Sequence, residues 1–458
     1  MVFFSTLSFK TDISFFYAQR GKTKRKNRYM GIKDYVKHIK ECYSNTLAEA
    51  WDVSYTHLYM DFNCVLHKIA STCCSSTAAV LVGMSVANVK KIIRKYEPTQ
   101  KVFVAVDGSA PMAKLLLQRN RRQSAGSSDS VSRHFSPGTS FMEQLESEFE
   151  WALQDLASEE GIEIEYNVSG TGEGEMKIRE MVDFDYSNSL QKYQGIIYSL
   201  DADIIPLMIT AKSARCMYQA LNNTTILCLN LFIEKIVKHS AKAVVSYDYN
   251  TRIMQYKNRD VILQDFLFVS ILMGNDYLPK LRGASLQSIW KAYVDVAPNW
   301  GEGLVNMQGG KININFPFLW NILSKAHGYS RRIKARESHV DVCQRYIEGV
   351  VWCFDMYLRG KCNDHGYIYG YQDSPSCMDL ILYVGGKKTH KLRRNKRGEI
   401  DNSLYGLMLI SPQDVEEVCS KRQKRMSKKL RKTNLLRGGK TIDEKTMRKI
   451  ESCVSEFM

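Results

Sequence analysis

Acidic residues spaced two apart are the feature of this sequence best suited to catalysis. Asp201 and Asp203 follow an apolar stretch at 195–199, and Glu173 and Glu175 lie where a glycine-rich turn opens a predicted helix. Carboxylates brought together repel one another unless cations neutralise them, and Mg²⁺ or Mn²⁺ prefers such hard oxygen ligands. Two ions about 4 Å apart can bind the attacking and leaving oxygens of a phosphodiester displacement. The complete candidate set is Asp61, Asp107, Glu173, Glu175, Asp201, Asp203 and Asp276, although any one such residue alone is most often a helix cap or a surface charge.

A basic helix is predicted beyond Asp107. On such a helix Lys114, Gln118 and Arg121 are spaced by four and three residues, and Arg122 follows Gln118 by four, so three of these side chains share one face. Cations with an amide beside a metal site form a suitable pocket for a phosphate group. The residues alone leave a second interpretation open, a basic helix surface in contact only with solvent.

The hydrophobic pattern supplies elements that can bring these side chains together. Buried strands are predicted at 56–62, 101–106, 162–166 and 195–199, and helices at 33–48, 85–95, 139–159, 175–181 and 261–273. This alternation predicts an α/β fold, a parallel twisted sheet covered by helices, with ligands at the carboxyl ends of the strands. Residues 119–134 are predicted to form a polar loop. Residues 315–384 are more helical, and beyond 385 the apolar periodicity disappears except at 404–410.

Composition and charge limit the class of protein. The 458 residues carry a formal net charge of +16, and 44% are hydrophobic, which excludes a wholly disordered or fibrous chain. No apolar run reaches the roughly 18 residues that a membrane span needs, so no membrane partner is expected. Residues 1–30 carry +6 and residues 387–450 carry +13, whereas residues 31–386 carry −1. Basic ends on a near-neutral body suggest a polyanionic partner, with a merely solvated surface as the alternative.

The twelve cysteines form no C-x-x-C pair, so a four-cysteine zinc site is not expected. The sequence shows no secretory signal, and we therefore expect reduced thiols in a cytoplasmic protein. The basic run at 421–432 could instead direct the chain to the nucleus, contact RNA or form a solvated helix surface. The sequence does not choose among these three.

Seven segments, taken in order, resemble the XRN family of 5′→3′ exoribonucleases. They are MDFNCVLH (60–67), AVDGSAPMAK…QRNRR (105–122), SPGTSFM (136–142), GEGEMKI (172–178), SLDADIIPL (199–207), FVSILMGNDYLPKL (268–281) and YIEGVVWCFDMYLRGKC (346–362). One such string would be a weak indication, but seven in sequence are specific. The resemblance covers about 30–384. It divides the chain into a basic extension (1–29), a nuclease core (30–286), a helical second region (287–386) and a basic C-terminal tail (387–458).

The resemblance implies a PIN/FEN-like nuclease core with a helical C-terminal extension. It implies a metal-dependent 5′→3′ exoribonuclease that degrades 5′-monophosphorylated single-stranded RNA to mononucleotides in RNA decay. The seven acidic residues would bind two Mg²⁺ (or Mn²⁺) ions. The residues that would hold the 5′-monophosphate are Lys114, Gln118, Arg121 and Arg122. His67 would stack on a base near the 5′ end, whereas the residues alone favour a buried core histidine at that position.

Two departures from the family pattern affect the substrate site. Met112 stands where an arginine is usual, and NDHGY at 363–367 replaces a tryptophan-rich segment, so stacking would fall to Tyr367, Tyr369 or Tyr371. The first alternative function is a FEN-type structure-specific 5′ nuclease acting on DNA, which would lack SPGTSFM and the second region. The other is an RNA-binding protein without catalysis, which the presence of all seven acidic residues disfavours.

Overall fold

A seven-stranded sheet lies at the centre of the structure. The structure is a computed structural model that describes residues 35–72, 78–125, 132–189, 192–241, 245–248, 253–256, 258–328, 340–371, 373–385, 397–433 and 444–458. The strands are β1 (Leu47–Glu49), β2 (His57–Asp61), β3 (Lys101–Ala105), β4 (Glu163–Asn167), β5 (Gly195–Tyr198), β6 (Met217–Ala220) and β7 (Thr225–Cys228). Their order across the sheet is β1-β7-β6-β5-β2-β3-β4. The five strands from β6 to β4 are parallel, which confirms the predicted α/β fold.

The other edge of the sheet is antiparallel, so the sheet as a whole is mixed and mostly parallel. β7 pairs antiparallel with both β6 and β1. Only residues 221–224 join β6 to β7, and so short a connection can link only antiparallel neighbours. β1 overlaps the end of the segment 33–48 that was predicted to be one helix, and α1 accounts for only part of that segment. A strand of three half-buried residues has too little alternation to be distinguished from a helix end.

Helices cover both faces of the sheet and continue beyond it. They are α1 (Tyr35–Cys42), α2 (Phe62–Thr72), α3 (Ala78–Tyr96), α4 (Met112–Ala125), α5 (Ser140–Glu160), α6 (Gly174–Asn188), α7 (Ile204–Met208), α8 (Leu229–Ala241), α9 (Arg259–Ile271), α10 (Leu286–Val296), α11 (Phe316–His327), α12 (Val340–Arg359), α13 (Cys377–Gly385), α14 (Asn402–Leu409), α15 (Val415–Val418), α16 (Lys421–Arg431) and α17 (Glu444–Val454). Two hairpins are separate from the sheet, β8 (Val245–Asp248) with β9 (Ile253–Tyr256), and β10 (Val305–Gln308) with β11 (Lys311–Ile314). In the described residues no helix is both long enough and apolar enough to span a bilayer.

Alternating side chains of the central strands enter two different apolar clusters. In β2, Leu58 and Met60 pack with α2, α3 and α5 on one face, while Tyr59 packs with α6 to α9 on the other. This alternation follows from the two-residue repeat of a strand. Because both faces are buried, the sheet is fixed in position and its carboxyl edge is a rigid platform.

The basic segment at 387–458 is folded in its described part, although little apolar periodicity is visible there. Helices α14, α16 and α17 form a third apolar cluster with Met112 and Leu115 of α4. In α16 only Met426 and Leu430 are buried and apolar, and the buried polar Gln423 lies on the same side. That stripe is too sparse for a periodicity argument. We call residues 397–433 and 444–458 the C-terminal helical segment.

Helix α4 also corrects the predicted polar loop at 119–134. The helix continues to Ala125, and the C-terminal helical segment packs on its first turn at Met112 and Leu115 and contacts it again at Gln118 through Tyr405. Residues 126–131 lie outside the described residues. The division of the chain at 29, 286 and 386 stays a prediction. The ten described cysteines are free thiols, and Cys73 and Cys74 lie outside the described residues.

Candidate active site

The carboxyl ends of three neighbouring parallel strands bring the first three acidic residues to one edge of the sheet. Asp61 is the last residue of β2, Asp107 follows β3 by two residues, and Asp201 follows β5 by three. β2 lies between β3 and β5. Ser199 connects two of these positions, because its hydroxyl donates to Asp61 Oδ2 at 2.8 Å and accepts the N–H of Asp201 at 3.1 Å.

The N-terminus of α6 lies against the same edge. The Gly174 N–H donates to Asp107 Oδ1 at 2.7 Å. A Cβ atom at residue 174 would be 3.2 Å from Asp107 Oδ1 and 3.6 Å from Asp61 Oδ1, so glycine permits the close approach. Glu173 immediately precedes α6 and Glu175 lies in its first turn. Both glutamates are therefore held beside the strand-end aspartates.

The remaining two aspartates come from tight turns next to this edge. The N–H of Asp203, at the start of α7, donates to Asp201 Oδ1 at 3.0 Å, and Asp203 is only 2% exposed. Asp276 lies in the turn after α9. There Asn275 Oδ1 accepts the N–H groups of Tyr277 and Leu278, each at 2.9 Å. All seven predicted residues are thus placed around one region.

Lys114 of α4 projects among these carboxylates. Its ammonium group donates to Glu173 Oε1, and its Nζ lies 3.3 Å from Asp276 Oδ2. The hydroxyl of Tyr277 donates to the other oxygen of Glu173. The side chain of Lys114 is only 12% exposed. In this geometry Lys114 is a counter-ion of the acidic residues and not part of an open basic helix surface.

The acidic residues carry more negative charge than Lys114 neutralises. The pKa of Asp61 is raised to about 7, mainly by burial and secondly by repulsion from Asp107. Burial, followed by repulsion from Asp276, raises the pKa of Asp201 to about 6. Burial also raises the pKa of Glu175 and Glu173. Burial alone would lower the pKa of Lys114, but the carboxylates of Glu173 and Asp276 outweigh it and raise that pKa.

The donor set suits a hard divalent cation, although the carboxylates do not form a closed cage. Every candidate ligand is a carboxylate, the group that Mg²⁺ and Mn²⁺ prefer. Over the described ranges, no three His, Cys, Asp or Glu side chains converge as a metal-binding group. The ammonium group of Lys114 lies between Glu173 and Asp276 and neutralises part of their charge.

The predicted phosphate-binding residues of α4 diverge in their contacts. Gln118 Oε1 accepts the hydroxyl of Tyr405 at 3.1 Å, so its NH₂ group is the part that can donate to an anion. Arg122 donates to the Ser136 hydroxyl at 2.7 Å, at the start of the SPGTSFM segment. The side chain of Arg121 lies outside the described residues. Lys114 is turned toward the carboxylates, whereas Gln118, one turn further along α4, contacts Tyr405, so the two side chains have different partners.

The predicted stacking residues divide into exposed and buried ones. His67 is exposed, with its ring edge-on to Phe135 at 6.1 Å, which makes the interpretation as a buried core histidine wrong. Tyr367 and Tyr369 are 7% and 5% exposed, and Tyr367 stacks on Trp352 at 4.9 Å. Of these three tyrosines, only Tyr371 presents an exposed ring, at 43%.

Several side chains that organise the site were absent from the prediction. Asn63 accepts the N–H of Asp107 at 3.1 Å, and Ser199 and Tyr277 contact the carboxylates as described above. Asn63 and Ser199 lie two residues from predicted acidic residues, and this proximity was the available signal. Tyr405 and Asn402 gave no signal, because they are 233 to 293 positions from the residues they contact.

The family model and the relatives that match this chain are all named as 5'-3' nucleases. Residues 30–134 and 126–218 match the family described as "XRN 5'-3' exonuclease N-terminus". The chain is 24% identical over 359 residues to 5'-3' exoribonuclease 1 of Homo sapiens, covering 66% of this chain and 20% of that protein. It is 24% identical over 353 residues to the Saccharomyces cerevisiae protein of the same name, covering 65% and 22%. The chain thus spans about a fifth of the length of these relatives.

Solved structures show a more distant likeness. The catalytic core of Rad2 in complex with a DNA substrate matches with a TM-score of 0.39 and 12% identity, covering 77% of this chain and 94% of that one. A second complex of the same core matches with a TM-score of 0.38 and 12% identity, covering 77% and 92%.

Proposed function

We propose, because residues 30–218 of this chain match the family described as "XRN 5'-3' exonuclease N-terminus", that the protein is a metal-dependent 5′→3′ exoribonuclease. Its substrate would be single-stranded RNA with a 5′-monophosphate, and its products 5′-mononucleotides, in RNA decay. The observation that carries the proposal is the arrangement of seven acidic residues, from five separate segments, around the carboxyl edge of the sheet and next to a basic helix.

The proposed cofactor is Mg²⁺ or Mn²⁺, as a pair of ions held by the seven acidic residues. Support comes from the environment of Asp61 and Asp201, where burial, and after it repulsion from Asp107 and Asp276 respectively, raises the pKa of each carboxyl group, so that their ionised forms are unfavourable without a bound cation. Bound ions would supply that charge, and would stabilise the negative charge that develops on the phosphodiester during attack by water. The free energy of metal binding would also stabilise the folded protein.

The chain's own cations and amide would hold the 5′ end of the RNA. Gln118 and Arg122 lie one turn apart on α4, and Lys114 lies one turn before Gln118. A terminal phosphate held by these groups fixes the distance from the 5′ end to the reacting phosphodiester, so that one nucleotide is removed at a time. A compact pocket excludes a triphosphate or a cap. The exposed ring of His67 is available to stack on a base without reading its identity.

End-labelled RNAs test this proposal directly. Purified protein is incubated with RNA that carries a 5′-monophosphate, a 5′-triphosphate or a 5′-hydroxyl, and with DNA of the same sequence, each with Mg²⁺ or with EDTA. We expect mononucleotide release that needs Mg²⁺ and favours the 5′-monophosphate RNA. Asp201→Asn serves as the inactive control. Equal decay of the three RNAs would contradict the assignment of Lys114, Gln118 and Arg122 to a 5′-phosphate pocket. Preferential cleavage of branched DNA would favour the FEN-type alternative.

We also propose that the protein acts in the cytoplasm. The free thiols of the described cysteines suit a reducing compartment. The basic helix α16 keeps the nucleus as the alternative, and microscopy of a tagged full-length chain, with and without charge changes in α16, separates the two.

A further inference from the structure

A side-chain amide from the C-terminal helical segment reaches the loops that carry the acidic residues. Asn402 is the first residue of α14. Its Oδ1 accepts the N–H of Ser109 at 2.7 Å, and its Nδ2 donates to the carbonyl of Ser169 at 2.6 Å. Ser109 belongs to the loop after β3, which carries Asp107, and Ser169 to the loop after β4, which leads to Glu173. One amide therefore joins two loops of the candidate active site.

The two loops are in close contact where Asn402 meets them. The Gly108 N–H donates to the Gly172 carbonyl at 2.7 Å, and the Gly172 N–H donates to the Ser109 carbonyl at 3.0 Å. A Cβ atom at residue 108 would collide with the carbonyl oxygen of Gly170 and would lie 3.1 Å from Asn402 Oδ1. No larger residue fits between the loops and the amide. The spacing of the loops is therefore coupled to the position of Asn402.

The C-terminal helical segment holds Asn402 from several directions. The preceding residue, Asp401, accepts the Leu404 N–H at 3.0 Å and pairs with Arg422 at 2.9 Å. Gln423, which is fully buried, donates to the carbonyls of Ser403 at 3.0 Å and Pro137 at 3.1 Å. A side chain fixed in this way can impose a geometry on the loops that it contacts.

We propose that Asn402 is a positioning residue that sets the distance between Asp107 and Glu173, and thereby the affinity of the acidic site for divalent cations. This inference rests on the proposed function where it concerns cations, but the clamp on the two loops does not depend on it. Only a group with one donor and one acceptor satisfies both Ser109 N–H and Ser169 carbonyl. An aspartate at 402 has the same shape, yet it would place a negative oxygen against the Ser169 carbonyl and add charge near the acidic residues.

The test compares Asn402→Asp and Asn402→Ala with wild-type protein in two measurements. Asn188→Asp, which makes the same change at an exposed position on α6, is the matched control. Amide hydrogen exchange is followed at 106–110 and 168–174 without metal. Mg²⁺ affinity is measured by calorimetry at a temperature at which all variants are folded. When a side chain that holds metal ligands in position is removed, the metal affinity or the activity typically falls by about 10–100-fold.

We expect both Asn402 variants to exchange at least tenfold faster in the two loops and to bind Mg²⁺ about tenfold more weakly, while Asn188→Asp resembles wild type. Wild-type exchange and wild-type Mg²⁺ affinity in the Asn402 variants would overturn the inference. Lower thermal stability with unchanged loop exchange would show a merely structural residue and would also overturn it. If wild-type protein neither binds Mg²⁺ nor degrades RNA, the proposed function fails, and faster loop exchange in the variants still supports the clamp.

Discussion

Replacing Asp201 by asparagine should stabilise the metal-free protein while it abolishes the proposed nuclease activity. The carboxylate is surrounded by other acidic residues, and burial followed by repulsion from Asp276 raises its pKa to about 6. Asparagine cannot ionise, but its Oδ1 can still accept the Asp203 N–H that is 3.0 Å from Asp201 Oδ1. The substitution therefore removes the charge and keeps the local hydrogen bond.

The magnitude follows from the difference between the folded and unfolded pKa. An aspartate in an unfolded chain has a pKa of about 3.9, and each tenfold difference in acidity corresponds to about 1.4 kcal/mol. The ionised carboxylate thus costs the fold about 2–3 kcal/mol. Because the folded pKa is the higher one, this cost is absent below about pH 4, grows as the pH rises toward 6 and is constant above that value. Asparagine at position 201 therefore removes the full free-energy cost only above about pH 6.

Urea denaturation in EDTA at pH 4 and at pH 8 measures this effect. We expect Asp201→Asn to raise the free energy of unfolding by about 2–3 kcal/mol at pH 8 and to leave it nearly unchanged at pH 4. Asp52→Asn, at an exposed position, is the control and should change neither value. With Mg²⁺ at pH 8, wild type should gain more stability than the variant. A variant that is less stable than wild type at pH 8 in EDTA would refute the electrostatic reasoning.

Three further predictions concern the basic side chains and their partners. The Lys114→Gln variant should bind Mg²⁺ more tightly than wild type in calorimetry, because the substitution removes a competing cation from Glu173 and Asp276. It should also raise the KM for 5′-monophosphate RNA. Weaker Mg²⁺ binding would contradict this prediction. Tyr405→Phe should raise that KM about threefold to tenfold, with kcat unchanged and little change in the KM for 5′-hydroxyl RNA. The reason is that only the hydrogen bond that orients Gln118 is lost, a net effect of about 1 kcal/mol. An equal effect on both RNAs would show general destabilisation. Lys421, Arg425 and Lys428 of α16 are exposed, and changing them to glutamine should make the plot of log RNA-binding constant against log salt concentration less steep by up to about 2. The same change at the exposed residues Lys40, Lys91 and Lys238 should leave the slope unaltered. An unchanged slope in the α16 variant would show that α16 does not contact RNA.

The acidic site could be predicted from sequence because its signals are local. Each strand-end aspartate directly follows a run of apolar residues, and parallel strands bring such positions to one edge. Asp61, Asp107 and Asp201 meet in this way. Distances between side chains are not encoded in such runs. Lys114 was therefore assigned to a phosphate pocket, and its ion pairs with Glu173 and Asp276 emerged only from the structure.

The role of the C-terminal helical segment could not be predicted for a different reason. Its apolar side chains are few, as Met426 and Leu430 of α16 show, and its basic residues dominate the composition. Its contacts with α4 join residues such as Gln118 and Tyr405, which are 287 positions apart. Removing 387–458 would expose Met112 and Leu115, so charge changes on the surface of α16 are a cleaner test of RNA contact than truncation.

The long separation between α4 and its covering helices has a consequence in time. Gln118 and Ser109 leave the ribosome long before Tyr405 and Asn402, which follow them by 287 and 293 residues. At about 5–20 residues per second, that interval lasts roughly 15–60 s. During synthesis the strands and their acidic residues would be in place while the loops around them still lacked their clamp. Until residues 402 and 405 have left the ribosome, a nascent chain therefore lacks the contacts that Asn402 and Tyr405 make with Ser109 and Gln118.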